Sequence, residues 1–342
     1  MVWTFEEIRK LRVNSNRFHS ATHDEIKEGL TTDIYFIKTI EVLKHLGLES
    51  VNVVADIFPR RAGVLAGVEE VLKLLEDKKN IKVWSLQEGE EFEKKEVIMQ
   101  IEGPYCEFGP LETVILGMLA SASGWASAAR ECKKAAGGKI VLCFGARHVH
   151  PAVAPVMERA AIIGGADAAS CILGAKLLGK EPRGTIPHAA ILIAGDTVVF
   201  AKGYDEVMPE DEPRIVLVDT FKDEAEEALR VASVLKERLA GIRLDTPDER
   251  GGVTSELIKE VRARLDQAGF SHVKIFVSGG LTPERIAFLK DAPVDGFGVG
   301  SYIVHGVYID MTMDIKEVMG KPIAKRGRIP GRANNPRLKR ML

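Results

Sequence analysis

The chain has 342 residues, of which 46% are hydrophobic and 28% are charged. That composition is ordinary for a globular protein and excludes a disordered or fibrous chain, while the length calls for more than one small core. Lys and Arg total 47 against 49 Asp and Glu, so no overall field favours nucleic acid or a membrane, and we expect neither as a partner. No basic, apolar leader opens the sequence and no apolar run could span a bilayer, so we expect a cytoplasmic protein.

The first third of the chain predicts an N-terminal α+β sandwich domain, which we place at residues 1–116. The hydrophobic pattern indicates a helix over 23–46, an extended run over 51–58, a helix over 64–76 and a polar, extended stretch through 102–104.

From Ile140 onward, runs rich in Val and Ile alternate with amphipathic stretches, which is typical of parallel strands covered by helices. We predict strands over 215–221, 242–245, 273–278 and 296–303, and helices over 224–239, over 255–268 and from Thr282-Pro283. The predicted class is therefore α/β, with an irregular parallel α/β barrel over 117–310. The basic tail, 311–342, is expected to pack back on the N-terminal domain as a strap or to stay mobile.

Glycine, Asp or Arg lies at the ends of the apolar run that begins at Ile140 and of the four predicted strands, in the segments 144–148, 219–220, 243–245, 278–280 and 298–301. Because the carboxyl ends of parallel strands meet at one edge of a sheet, we expect these residues to share one site. The pairs Gly279-Gly280 and Gly298 with Gly300, beside Ser278 and Ser301, predict a phosphate cup of backbone N–H groups. For either segment alone a tight structural turn is the stronger interpretation, and their presence on adjacent strands reverses it.

The charged candidates each have a structural alternative. Asp219 and Asp245, together with Asp167, are suited to holding ribose hydroxyls, a ring nitrogen or Mg²⁺, whereas an Asp after a strand also caps helices. Arg147 and Arg243 are suited to carboxylate or phosphate, and a surface salt bridge is the alternative for both. His188, taken alone, favours a structural role.

At these residues the sequence resembles nicotinate phosphoribosyltransferase and the type II phosphoribosyltransferases. The matching segments are LTTDIYF at 30–36, IEGPY at 101–105, LET at 111–113, FGARH at 144–148, GGADAAS at 164–170, GTIPHA at 184–189, VDTF at 218–221, RLDTPDERGG at 243–252, VSGG at 277–280 and GFGVGS at 296–301. Each segment alone is weak, and their order along the chain is specific. His148 departs from the second Arg that is common in the family at that position.

The resemblance implies a role for each matched residue. Phe144 is similar to the aromatic residue on which the pyridine ring stacks, and Arg147 to the cation that faces the ring carboxylate. Tyr35 resembles the tyrosine that covers the ring from a partner subunit, which implies a homodimer. Asp167 resembles the aspartate near the ring substituent. The remaining matches are Asp219, Arg243 and Asp245 for the ribose and pyrophosphate with Mg²⁺, Gly279, Gly280, Gly298 and Gly300 for the 5′-phosphate, and His188 for the histidine that ATP phosphorylates.

We therefore expect an ATP-coupled, ligase-type nicotinate phosphoribosyltransferase that makes nicotinate mononucleotide and pyrophosphate in NAD biosynthesis, with Mg²⁺ as cofactor, ATP as co-substrate and other metal ligands left open. Two alternatives remain. One is quinolinate phosphoribosyltransferase, whose substrate loses a second carboxylate as CO₂ and should need more basic residues around the ring. The other is a phosphate-ligand sensor without turnover, which the retained aspartates argue against.

Overall fold

The structure is a computed structural model that describes residues 3–14 and 16–342. Its helices are α1 (Phe5–Lys10), α2 (His23–Lys27), α3 (Ile34–His45), α4 (Val68–Leu75), α5 (Tyr105–Phe108), α6 (Glu112–Ala135), α7 (Ala154–Gly164), α8 (Ile172–Lys176), α9 (His188–Ala194), α10 (Thr197–Val207), α11 (Glu224–Leu235), α12 (Ser255–Gln267), α13 (Pro283–Leu289) and α14 (Ser301–Val304). Its strands are β1 (Asn52–Pro59), β2 (Gly63–Val64), β3 (Lys82–Ser85), β4 (Glu91–Phe92), β5 (Met99–Pro104), β6 (Ile140–Cys143), β7 (Ala168–Ala169), β8 (Arg214–Leu217), β9 (Leu239–Leu244), β10 (Lys274–Val277), β11 (Gly296–Val299), β12 (Met311–Val318), β13 (Lys321–Pro322) and β14 (Lys339–Arg340).

The chain divides into two compact units. Unit 1 contains the residues up to 127 and from 307 onward, and unit 2 spans 128–306. The boundaries proposed from the sequence, 116/117 and 310/311, fall inside α6 and directly before β12.

Unit 1 is built on a six-stranded sheet with the order β13-β12-β1-β5-β3-β14. The central strand β1 pairs antiparallel with β12 on one side and β5 on the other. The buried apolar cluster of this unit includes Ile57, Leu65, Leu75, Phe92 and Phe108. Burial of this apolar surface is the main force that holds the sheet and its helices together. The basic tail contributes β14, which pairs antiparallel with β3.

Unit 2 is built on a parallel sheet with the order β7-β6-β11-β10-β9-β8. Among the described residues β7 and β8 are the two edges, so the sheet is an open half-barrel. Val- and Ile-rich strands buried under crossover helices are what the sequence predicts for a parallel sheet. The predicted fold class, an N-terminal α+β domain followed by a parallel α/β domain, is confirmed.

Several element boundaries differ from the predictions. The predicted helix over 23–46 is two helices, because Gly29 takes a left-handed φ of 78° between α2 and α3. Val64 lies in strand β2, so the predicted helix over 64–76 begins only after Gly67. The predicted strand over 296–303 ends at Val299 and the chain turns into α14. The N-cap expected at Thr282 is confirmed, since its hydroxyl accepts from the Arg285 N–H.

In the described part of the chain, no helix combines the length and apolar character that crossing a membrane requires.

Candidate active site

The carboxyl ends of six parallel strands lie along one edge of the unit 2 sheet. Phe144 follows β6, Asp245 follows β9, Ser278 follows β10 and Gly300 follows β11, while Asp219 lies two residues beyond β8. Parallel sheets of this kind hold their ligands at this edge. The segments singled out from the sequence therefore meet at the place where a small-molecule site is expected.

His188 lies at the start of α9 and reaches two acidic residues. Its Nε2 is 3.7 Å from Asp219 Oδ2 and 3.5 Å from Asp245 Oδ2, and its Nδ1 is 3.1 Å from the Thr220 hydroxyl. His188 is the first residue of α9, which continues to Ala194. One imidazole thus lies against acids from two neighbouring strand ends.

Asp219 is an acid without a hydrogen-bond partner. Its side chain is 1% exposed, and neither carboxylate oxygen has a partner among the described residues. Burial raises the pKa of the Asp219 carboxyl to about 6, while His188 acts in the opposite direction and Asp245 adds to the rise. A buried acid with unused acceptors is destabilising by itself, and substrate hydroxyl groups could satisfy it.

Arg243 ends β9 and lies beside these acids. Its Nη2 is 3.6 Å from Asp245 Oδ2, and its Nη1 donates to the Thr185 hydroxyl. Burial lowers the pKa of the Arg243 guanidinium from its ordinary value, while the Asp245 and Asp219 carboxylates act in the opposite direction. The buried Nε has no partner among the described residues, so this cation retains a donor for an anionic ligand.

The glycines of the two glycine-rich strand ends are there for different physical reasons. A Cβ on Gly298 would collide with the Phe144 ring, and one on Gly300 would lie 2.9 Å from the Phe144 carbonyl oxygen. Gly279 and Gly280 have left-handed φ values of 91° and 56°, and a Cβ on Gly280 would meet nothing within 4 Å. Glycine is thus required by close packing at 298 and 300, and by conformation at 279 and 280.

The two serines of these segments differ in their surroundings. The Ser278 hydroxyl donates to Asp245 Oδ1 at 2.7 Å, which orients that carboxylate. Ser301 is the first residue of α14, directly after the Gly300 turn.

Phe144 and Arg147 follow β6. The Phe144 N–H donates to the Val299 carbonyl at 2.8 Å, which extends the β6–β11 pairing by one residue. Arg147 lies in the 3₁₀ turn Ala146–His148, and its Nε is 3.5 Å from His148 Nε2. The positive charge of Arg147 contributes to the lowered pKa of Arg243, so two cations lie close to the same edge.

Asp167 is not brought to this edge. Its carboxylate accepts from the Val141 N–H at 2.7 Å and from Lys133 Nζ at 2.6 Å, near the amino end of β6. Asp295 makes the equivalent contacts at the start of β10. Its carboxylate accepts from the Ile275 N–H at 2.8 Å, and its own N–H donates to the Ile275 carbonyl. Asp167 N–H likewise donates to the Val141 carbonyl at 2.8 Å. Both acids join neighbouring strands at their starts, which is a structural role.

Tyr35 belongs to unit 1, on α3, and its side chain is 54% exposed. It lines a cavity of about 290 Å³ with Asp33, Glu112 and Thr113. Thr113 donates to Asp33 Oδ2 at 2.8 Å, and burial raises the pKa of the Glu112 carboxyl to about 7. Within unit 1 the tyrosine is therefore available to a ligand or a partner.

Two residues close to the edge were missed from the sequence. Thr185 contacts Arg243, and its place three residues before His188 in GTIPHA was the available signal. Glu158 lies inside the apolar-looking helix α7 with its side chain buried. A charged residue on the buried face of a helix was the signal for Glu158.

Comparison with known proteins identifies the family. The model of the quinolinate phosphoribosyl transferase N-terminal domain matches residues 33–123, and that of the C-terminal domain matches residues 125–314. The chain belongs to the quinolinate phosphoribosyltransferase family.

Solved structures agree with this assignment. The chain is 48% identical to nicotinate-nucleotide pyrophosphorylase from Pyrococcus furiosus, with a TM-score of 0.86 over 93% of this chain and 82% of that chain. The corresponding enzyme from Francisella tularensis is 17% identical with a TM-score of 0.63, covering 88% of this chain and 100% of that one, and supports the fold alone.

Curated sequence relatives carry a different name. A nicotinate phosphoribosyltransferase of Mycobacterium tuberculosis is 34% identical over 65% of this chain and 48% of its own length. One from Bacillus subtilis is 28% identical over 81% of this chain and 63% of its own length. The chain thus spans about half the length of the first of these relatives.

These findings correct the identification made from the sequence. The family models name quinolinate phosphoribosyltransferase, so the identification as an ATP-coupled nicotinate enzyme was wrong. ATP as co-substrate and phosphorylation of His188 by ATP are withdrawn with it. The expectation of Mg²⁺ as a cofactor has no support in the structure, because among the described residues no group of three or more His, Cys, Asp or Glu is arranged to hold a metal ion.

Proposed function

We propose that this protein transfers the phosphoribosyl group of phosphoribosyl pyrophosphate to the ring nitrogen of quinolinate, releasing pyrophosphate and CO₂ in NAD biosynthesis. The family match supports quinolinate as the acceptor. The observation that carries the transfer chemistry is the group at the strand ends, where the unpartnered acid Asp219 lies beside Asp245, His188 and the buried Arg243.

The roles of these residues follow from the charges that the reaction develops. As pyrophosphate leaves the anomeric carbon, the sugar gains positive charge and the leaving group gains negative charge. Asp219 and Asp245 accept hydrogen bonds from ribose hydroxyls and stabilise the positive sugar. The free Nε–H of Arg243 donates to an anionic oxygen of the leaving group. The pyridine nitrogen already carries a lone pair, so no general base is required.

The ring and the phosphate have separate places in this proposal. The backbone at Gly279, Gly280 and Gly300 approaches the 5′-phosphate, and the Phe144 ring stacks against the pyridine. Arg147 forms no ion pair among the described residues, so its guanidinium is available to a ring carboxylate. Once the ring nitrogen is bonded to the sugar, loss of the adjacent carboxylate as CO₂ leaves an electron pair on the ring carbon, which then takes a proton from water.

The test is a comparison of acceptors. Purified protein is given phosphoribosyl pyrophosphate with quinolinate or nicotinate, each with and without ATP, and pyrophosphate and CO₂ are measured. We expect equal release of both products with quinolinate, unchanged by ATP. Turnover of nicotinate without turnover of quinolinate would overturn the acceptor assignment.

A third outcome would remove catalysis itself. Tight binding of the mononucleotide by calorimetry, with no pyrophosphate released from either acid, would identify a phosphate-ligand sensor. Asp219→Asn serves as the control for background hydrolysis of phosphoribosyl pyrophosphate, because it changes the group that carries the proposal.

A homodimer that shares its sites is also proposed. The support is the exposure of Tyr35 on unit 1, which leaves its ring available to a second copy of the chain. The small-molecule partners in this proposal are quinolinate and phosphoribosyl pyrophosphate.

A further inference from the structure

One buried carboxylate collects hydrogen bonds from two turns next to the candidate site. Glu158 Oε1 accepts from the N–H groups of Gly145 and Ala146, each at 3.0 Å, and from the Ser170 hydroxyl at 3.1 Å. Its Oε2 accepts from the Cys171 N–H. The side chain is 0% exposed. Four donors thus converge on one acid from the turns that follow β6 and β7.

The energetics of a buried charge make this arrangement specific. A carboxylate removed from water is costly unless its oxygens are hydrogen-bonded, and here donors reach both of them. An apolar residue at position 158 would satisfy the core of α7 and leave the N–H groups of both turns without this acceptor. The Glu158 carboxylate therefore stabilises the two turns and is not required for the packing of α7.

Close packing brings the turns within reach of the carboxylate. A Cβ on Gly145 would lie 2.6 Å from Met157 Cε of α7 and 2.8 Å from Val304 Cγ2 of α14, so a larger residue at 145 would displace the turn or these two side chains. On the other side, a Cβ on Gly174 would lie 3.2 Å from Glu158 Cβ. Glycine at 145 and at 174 therefore permits close packing around Glu158.

The residues held in this way flank the proposed ring site. Gly145 and Ala146 lie between Phe144, which faces Gly298, and Arg147. Among the described residues, the elements that carry Asp219, Arg243 and Gly279 donate no hydrogen bond to Glu158, whose donors are Gly145, Ala146, Ser170 and Cys171. The Glu158 carboxylate is therefore hydrogen-bonded to residues beside the proposed pyridine site, and not to residues beside the proposed sugar-phosphate site.

We propose that Glu158 is a positioning residue that ties the 144–147 turn to the 170–171 turn and thereby fixes the pyridine-binding side of the site. The inference rests on the proposed function, and it adds a residue that does not touch the substrate. Its consequence is selective: loss of the tie weakens capture of the pyridine acid and leaves capture of phosphoribosyl pyrophosphate unchanged.

The test uses Glu158→Gln and Glu158→Ala, with Glu227→Gln as the matched control. Glu227 is equally buried in unit 2. Among the described residues its carboxylate accepts from Arg230 on its own helix and from no strand-end turn. Since small displacements of a binding group cost up to about a hundredfold in rate, we expect Glu158→Gln to raise KM for the pyridine acid about tenfold or more. The Kd for phosphoribosyl pyrophosphate, measured by calorimetry, should stay within about twofold of wild type, because its proposed contacts lie elsewhere.

A second measurement does not depend on activity. Gln keeps one oxygen acceptor but turns an NH₂ group toward the second oxygen's donor, so backbone hydrogen exchange should quicken most at Cys171 in Glu158→Gln. It should quicken at Gly145, Ala146 and Cys171 in Glu158→Ala. This arm also covers the case in which the alanine variant folds poorly, because the glutamine variant preserves size.

The outcomes separate the two proposals. Unchanged hydrogen exchange at the Gly145, Ala146 and Cys171 amides in both variants, or an equal loss of affinity for both substrates, overturns the proposed positioning role of Glu158. Faster exchange in Glu158→Gln, together with no turnover by the wild-type protein, overturns the proposed function and supports the tie.

Discussion

Replacing Asp219 by Asn should make the protein more stable at neutral pH and less active. The isosteric change removes a charge whose side chain is 1% exposed and whose oxygens have no hydrogen-bond partner among the described residues, with His188 Nε2 3.7 Å away. Burial raises the pKa of this carboxyl from 3.8 to about 6. A difference of about two pH units corresponds to about 3 kcal/mol, and coupling to its neighbours reduces what we expect to about 1–3 kcal/mol.

The sign of the pH dependence follows from proton binding. An acid with a raised pKa binds its proton more tightly in the folded protein than in the unfolded one, so its ionisation lowers the free energy of unfolding. Stability is therefore lost as the pH rises from about 4 to about 6, and the loss persists above that range. Asp219→Asn escapes this loss, so its advantage over wild type should be present at pH 7 and disappear near pH 4.

The assay is thermal unfolding from pH 4 to pH 8, with Asp167→Asn as the control. Asp167 accepts from the Val141 N–H and from Lys133, and it is partly exposed, so its loss should cost about 1 kcal/mol at pH 7. Activity of Asp219→Asn should fall by about a hundredfold, the typical cost of removing one group that stabilises transition-state charge. If Asp219→Asn is destabilising at pH 7 as Asp167→Asn is, then the carboxylate has partners and the argument from burial is refuted.

Three further changes test the other parts of the site. Arg243→Lys keeps the positive charge but loses the planar guanidinium group, so kcat/KM in steady-state assays should fall by about a hundredfold. A decrease of less than about threefold would show that Arg243 does not stabilise the leaving group. Gly298→Ala places a Cβ against the Phe144 ring, so KM for the pyridine acid should rise while the circular dichroism spectrum stays nearly the same. Unchanged kinetics would show that the position of the Phe144 ring does not affect binding of the acid. Tyr35→Ala and Asp219→Asn subunits, each nearly inactive alone, should regain activity when mixed, because a mixed dimer whose sites are built from both subunits contains one intact site. A mixture no more active than its two components would refute active sites shared between subunits.

The strand-end residues could be predicted because a simple rule governs them. Val- and Ile-rich runs separated by amphipathic stretches define parallel strands, and residues after such strands share an edge. Asp219, Arg243, Asp245 and Ser278 follow this rule, and the structure brings them together. What the rule does not give is the partner of each side chain, and the absence of a partner for Asp219 is a property of the folded structure alone.

Asp167 shows where the rule stops working. Strand β7 has only two residues, Ala168 and Ala169, so an acid near it can lie at its start as easily as at its end. The pairing that settles its position joins Asp167 to Val141, residues 26 positions apart. Asp295 has the same role and was not singled out, because nothing in its local sequence marks a non-local hydrogen bond.

The incorrect prediction of nicotinate as the acceptor has a physical reason, which is the kind of contact that the motif residues are proposed to make. The segments that carried the resemblance contain the acids, glycines and arginine proposed to hold a sugar phosphate and its leaving group, and that part of the reaction is the same for every pyridine acceptor. The acceptors differ by a carboxylate on the ring, which is recognised by cations such as Arg147 whose number and direction depend on how turns are held. Glu158 fixes that turn from inside a helix, where no motif marks it. Under the proposed function, motifs of this kind indicate the phosphoribosyl transfer, and we expect the choice of ring to depend on the buried contacts around the 144–147 turn.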